Sequence, residues 1–201
     1  MHLISGPAWG AVGCELNDPK RDVPRLFPGS ARFDTVTYDI QRVGGRKLLA
    51  KIEEKLRDQL RGLYETIDVP YELYAVYGKN KQKIGYIHGV NQKGRFGGIQ
   101  IFLVLDLNEK IKSLYIQKIT GPYGAKLRDA EFTKQFAGLT LSDLEQFDPG
   151  TGKATGKVAA IQNTAGPEAE HDFKRILRGM KKNLILVNEF LKMAPDLPAK
   201  K

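Results

Sequence analysis

Leu48, Leu49, Ile52, Leu56, Leu60 and Leu63 recur at steps of three and four residues, with Lys51, Glu54, Lys55 and Arg61 between them. That period gathers the apolar side chains on one face and predicts an amphipathic helix over Arg46–Leu63. Upstream, Phe33, Val36, Tyr38 and Ile40 alternate with polar residues, so Arg32–Val43 reads as an edge strand broken by Gly44-Gly45. Downstream, Tyr71–Tyr77 and Ile84–Val90 flank Gly78-Lys79-Asn80-Lys81, and Ile99–Leu107 and Ile111–Ile119 flank Asn108-Glu109-Lys110. Each pair is a hairpin signal. The unbroken run Ile101-Phe102-Leu103-Val104-Leu105 predicts a central strand covered on both faces. Short helices follow over Asp129–Phe136 and Leu141–Phe147, the second capped by Thr140 or Ser142. Lys157–Gln162 is a last strand candidate, and Pro167 opens a long helix to Met193 with Phe173, Ile176, Leu177, Met180, Leu184, Val187 and Leu191 on one face. Between these elements, Glu15–Gly29 reads as an irregular surface arm and Asp148–Gly156 as a flexible loop. The fold class is α+β: an antiparallel sheet of hairpins packed against helices, with a long C-terminal helix.

Charge changes this picture little. The 201 residues carry a formal net charge of +9, but Lys and Arg are spread over nearly every segment. The densest run, Lys174, Arg175, Arg178, Lys181 and Lys182, reads as the solvated face of the last helix, so no nucleic-acid partner is expected. An anionic membrane surface is the weaker partner for the same charge. One cysteine allows no intrachain disulfide, and three histidines at no ligand spacing do not suggest zinc. Residues 1–14 form a leader, weakly apolar and ending in Ala-Val-Gly-Cys, like the tail of a bacterial lipoprotein signal. Lipidation at Cys14 and export to the cell envelope are therefore expected. Residues 15–70 supply the arm, strand and helix, 71–193 the main domain, and 194–201 a tail.

Candidate chemistry concentrates in Gly94–Leu139. Two glycine-bearing turns, Gly94-Arg95-Phe96-Gly97-Gly98 and Gly121-Pro122-Tyr123-Gly124-Ala125-Lys126, bracket a strand pair. Such turns let backbone approach a bound group closely. Phe96, Tyr123 and Phe132 offer apolar surface to a flat ring, and Lys126 and Arg128 offer charge to an anion. Gly150-Thr151-Gly152-Lys153 fails as a phosphate-binding loop, because Phe147 stands where a glycine is needed and Ala154 where a Ser or Thr is needed. No nucleophile, base and orienting group occur together, so a hydrolase is not indicated. His88, alternating within a strand, reads as a hydrogen-bonded structural residue.

Gly94, Phe96, Gly97 and Gly98, then Thr120, Gly121, Pro122, Gly124, Ala125 and Lys126, then Phe132, Gln135, Phe136 and Gly138 stand in a recognisable order. This segment resembles the FMN-binding domain of the C subunit of sodium-pumping NADH:quinone reductase and of the G subunit of the Rnf complex. The resemblance implies an exported, membrane-associated electron carrier or accessory subunit, with a redox partner protein in the envelope. It implies FMN held by Phe96, Gly97, Gly98, Gly121, Tyr123, Gly124, Ala125 and Lys126, with Thr164 at the family's flavin-attachment position. The Ser-Gly-Ala before that threonine is replaced by Ile161-Gln162-Asn163, so the expected flavin is non-covalent. Pro167 removes an N–H donor, and Glu168, Glu170 and Asp172 oppose a phosphate at that helix start. The alternative is a cofactor-free interaction module on the same fold at the membrane surface.

Overall fold

The computed structural model describes residues 12–193. The leader up to residue 11 and the tail 194–201 lie outside the described residues. Five antiparallel strands pair in chain order: β1 (Arg32–Tyr38), β2 (Tyr71–Tyr77), β3 (Lys83–Lys93), β4 (Gly98–Leu105) and β5 (Ile111–Ile119). β1 is an edge strand, as its alternation predicts, and it belongs to the same sheet as the later hairpins, so residues 15–70 and 71–193 share one sheet and core. The strand stops at Tyr38 rather than Val43. Asp39 accepts the N–H of Arg42 at 2.7 Å and caps a short helix, α2 (Ile40–Val43).

Both faces of the sheet are covered. Along β4, Ile99, Ile101, Leu103 and Leu105 enter one core while Phe102 and Val104 enter the other. The second core is closed by Cys14 and Leu16 together with α1 (Pro19–Leu26), which adds Val23. Glu15–Gly29 is therefore a structural layer rather than an irregular arm. Asp18 caps α1 and Pro19 occupies its first turn, where a missing N–H costs nothing. Leu16, Val23 and Phe27 are almost fully buried, and each contributes about 1.5–3 kcal/mol of apolar burial. That outweighs the local preference of a Pro-rich segment for extended chain.

The first core is roofed by helices. α3 (Gly45–Leu56) ends about two turns before Leu63, because Arg57 turns left-handed and directs its N–H back to the Glu53 and Glu54 carbonyls. Beyond β5 come α4 (Gly124–Arg128), α5 (Ala130–Thr133), a 3₁₀ turn (Lys134–Phe136) and α6 (Leu141–Leu144). Thr140, not Ser142, caps α6 in a reciprocal pair with Asp143. The Asp148–Gly156 stretch is organised: β6 (Phe147–Asp148) and β7 (Lys153–Ala154) pair around a turn held by the Asp148 carboxylate. The strand expected over Lys157–Gln162 is instead a single helical turn, α7 (Gly156–Ala159), which turns Val158 into the core, with Ile161 packed beside it and no strand partner among the described residues. A 3₁₀ turn over Pro167–Ala169 leads into α8 (Glu170–Met193), which packs on β3, β4 and α3.

Gly89 of β3 lies opposite Phe102 of β4, and a Cβ there would sit 2.8 Å from both Cδ1 and Cζ of that buried ring. Glycine inside an open strand costs roughly 0.5–1 kcal/mol relative to alanine. Here the sign reverses, so Gly89→Ala should destabilise the fold by ~1–3 kcal/mol. Urea unfolding checks this, and a raised midpoint would contradict the packing described.

Candidate functional site

The two glycine turns meet at one end of β4 and β5. Phe96, 47% exposed, lays its ring over Gly121, where a Cβ would be 2.5 Å from Cδ2. Gly97 backs onto Thr120, Gly98 onto the Tyr64 hydroxyl, and Gly124 onto Ile119. The close approaches that these glycines permit are thus made by the chain's own atoms. Tyr123 is half-buried against the first core, while Ala125 and Lys126 are exposed on α4. Beside Gly98 and Thr120 lies a hollow of about 150 Å³, also lined by Val12, Tyr64, Asn91 and Lys118. Ligand pockets usually measure about 300–1,000 Å³.

The start of α8 joins this end through Asp172. Its buried carboxylate accepts the Arg95 N–H at 2.7 Å, which ties the first glycine turn to the helix. Thr164 is half-buried in a loop pinned elsewhere. Gln135 bonds both the N–H and the carbonyl of Gln162, and Asn163 donates to the Gly166 carbonyl and to Glu170. The structure gathers Phe96, Gly97, Gly98 and Gly121, and among the described residues no hydrogen bond joins Thr164 to these turns.

Cys14 sits in a parallel bridge with Tyr71, 2% exposed, and burial pushes its thiol pKa far up. Asn91 donates to the carbonyl of Gly13 at 2.6 Å and holds the preceding residue in place. A lipid on this sulfur has no room unless the segment leaves the sheet.

Polar residues cluster most densely on α8, on the side expected to face water. Arg178, Lys181 and Lys182 are 3%, 0% and 0% exposed, which corrects that expectation for all three. Arg178 donates to Asp58 (2.6 Å), Glu65 (2.6 Å), Gln92 (2.8 Å) and the Gln59 carbonyl (2.9 Å). Lys182 donates to Glu65 (2.5 Å) and to the Asn91 carbonyl (2.7 Å). Lys181 reaches the Phe147 carbonyl, and buried Glu189 draws Lys51 and Lys55 of α3 onto the helix. Burial alone would raise the Glu65 pKa, but Lys182 and Arg178 outweigh it and hold the carboxyl below its ordinary value. Burial lowers the Lys182 pKa against the pull of Glu65. Each ion thus depends on its partner, since stranding one charge of such a set costs about 3–5 kcal/mol.

The sequence carried one sign of this inward turn. Ile185, Leu186 and Phe190 lie off the expected apolar stripe, so the second half of α8 is apolar nearly all round. Glu65 and Asp58 carried no comparable signal, because they follow the αL residue that ends α3. Above the cluster runs a groove in two hollows that share Arg175 and Arg178. One, of about 220 Å³, lies against the Pro149–Gly152 turn, and the other, of about 340 Å³, lies beneath Tyr64. Compared with protein-family models, curated proteins and solved structures, the chain matches none.

His88 is the buried titratable group beside these ions. Its Nδ1 lies 2.8 Å from Asn183 Oδ1, and burial lowers its pKa to about 4, with Asn183 opposing and Lys182 assisting. An unfolded histidine titrates near ~6.5, so below that pH the unfolded chain takes up the proton first. Stability is full above about 6.5 and falls by up to ~3 kcal/mol as the pH drops towards 4. Urea unfolding across this range should show the slope, and His88→Asn should flatten it. An unchanged slope in the variant would remove His88 from the account.

Proposed function

We propose that this chain is a cofactor-free interaction module on an FMN-binding-like scaffold, working through protein contacts in the cell envelope. The supporting observation is the hydrogen bond from the Arg95 N–H to Asp172 Oδ1. By the resemblance, a flavin phosphate belongs near the start of the last helix, where free N–H groups and the positive dipole end favour an anion. Here the protein's own carboxylate already takes a donor at that end, and a second anion would meet it at close range. The turns that would flank an isoalloxazine are filled by Phe96, Thr120, Tyr64 and Ile119. The envelope location comes from the resemblance and the Ala-Val-Gly-Cys leader. Buried Cys14 argues against its thiol as the anchor in this folded form.

A second reading keeps a non-covalent FMN and an envelope redox partner. It is favoured by the meeting of Phe96, Gly97 and Gly121 at one end of the sheet, where an exposed ring could swing away from Gly121. In that case the flavin supplies the electron chemistry, while Phe96 and the turn backbones orient it. Purified protein incubated with FMN and then desalted separates the two. The cofactor-free reading predicts a colourless protein, unquenched flavin fluorescence and an unshifted melting temperature. A yellow protein holding one flavin per chain would establish the second reading instead.

A further inference from the structure

We propose that the groove crossed by Arg175 binds a small, soluble organic phosphate. Lys174, Arg175, Arg61 and Lys93 line its two hollows, and the two carboxylates that also line it, Asp58 and Glu65, are both engaged by Arg178. Arg175 is half-buried and, among the described residues, makes no hydrogen bond or ion pair. It shares the groove with Arg178, a second guanidinium already saturated by its partners. Asp58 and Glu65 already answer the charge of Arg178, which leaves the planar fork of Arg175 to meet a doubly charged oxyanion bidentately. The Gly150 and Thr151 N–H groups are spent on Asp148, so the turn acts as a wall and recognition falls to the side chains.

Shape narrows the class further. The combined hollows fall within the ~300–1,000 Å³ range of small-molecule sites. The hollow beneath Tyr64 presents Gln59 and the Tyr64 hydroxyl, which suit a hydroxylated body rather than an apolar one. Because Arg178, Lys181 and Lys182 turn inward, α8 presents no continuous basic stripe to a nucleic-acid backbone. The site lies across Tyr64 from the glycine turns, so it stands or falls independently of the cofactor-free reading.

Calorimetric titration of the full chain with inorganic phosphate, glucose 6-phosphate and glucose tests this. Glucose 6-phosphate should bind more tightly than phosphate, and glucose should give no heat. Arg175→Gln should weaken glucose 6-phosphate by about tenfold or more, as loss of a charge-assisted contact does. Lys20→Gln, an equal loss of charge at an exposed position of α1, should change nothing. Should Arg175→Gln melt earlier than the parent, Lys174→Gln replaces it, with weakening in the same direction expected. No heat from either phosphate at millimolar concentration, or equal weakening by Arg175→Gln and Lys20→Gln, would overturn the proposal. Binding only to phosphatidic acid vesicles would overturn it as well.

Discussion

A carboxylate shared by two cations, almost fully buried at the floor of the groove, governs how this protein is put together. Glu65 follows α3, while Arg178 and Lys182 stand one turn apart on α8, and the three meet against β3 through Gln92 and the Asn91 carbonyl. Apolar packing is non-directional and would tolerate α8 sliding or rotating across the sheet. Hydrogen-bonded ions do not, because a displaced helix would strand a charge in the core. The next residue, Asn183, addresses His88 and its carbonyl, and about two turns beyond Lys182, Glu189 fastens α3. Register is thus set along the helix by polar contacts, while the surrounding apolar side chains supply most of the stabilisation.

The same economy marks the end of the sheet where a ligand was expected. Glycines there admit neighbouring side chains, a carboxylate at the start of α8 meets a turn N–H, and the loop before α8 is closed by Gln135 and Asn163. Polar groups are answered within the chain. The contrast lies along the groove, where Arg175 stands among cations whose carboxylate neighbours are already engaged.

Strands were legible where a two-residue pattern ran between turn formers. Tyr71–Tyr77 and Ile111–Ile119 have the bounds their patterns predict, and the apolar run of β4 is covered on both faces. Boundaries failed where a single residue overrode the pattern: Asp39 by capping, Arg57 by adopting the left-handed region. The Glu15–Gly29 layer was missed because its prolines and charges read as a surface arm, although Val23, Leu26 and Phe27 stand at three- and four-residue steps. Most of the polar chemistry was hidden for another reason. A lysine on a helix reads as exposed unless its partner is known, and Glu65 lies far from Lys182 in sequence. Of the candidate site, the meeting of the two glycine turns was legible, but the atoms that fill them were not, since Tyr64 and Asp172 come from outside the motif.

The inward orientation of the α8 cations is the claim on which both the fold and the groove rest. Brief acetylation of the native protein with an amine-reactive ester, followed by peptide mass spectrometry, tests it directly. Lys174 and Lys192 should be modified readily, with Lys181 and Lys182 reacting only after unfolding. Modification of Lys181 and Lys182 at the rate of Lys174 in the native state would contradict the account.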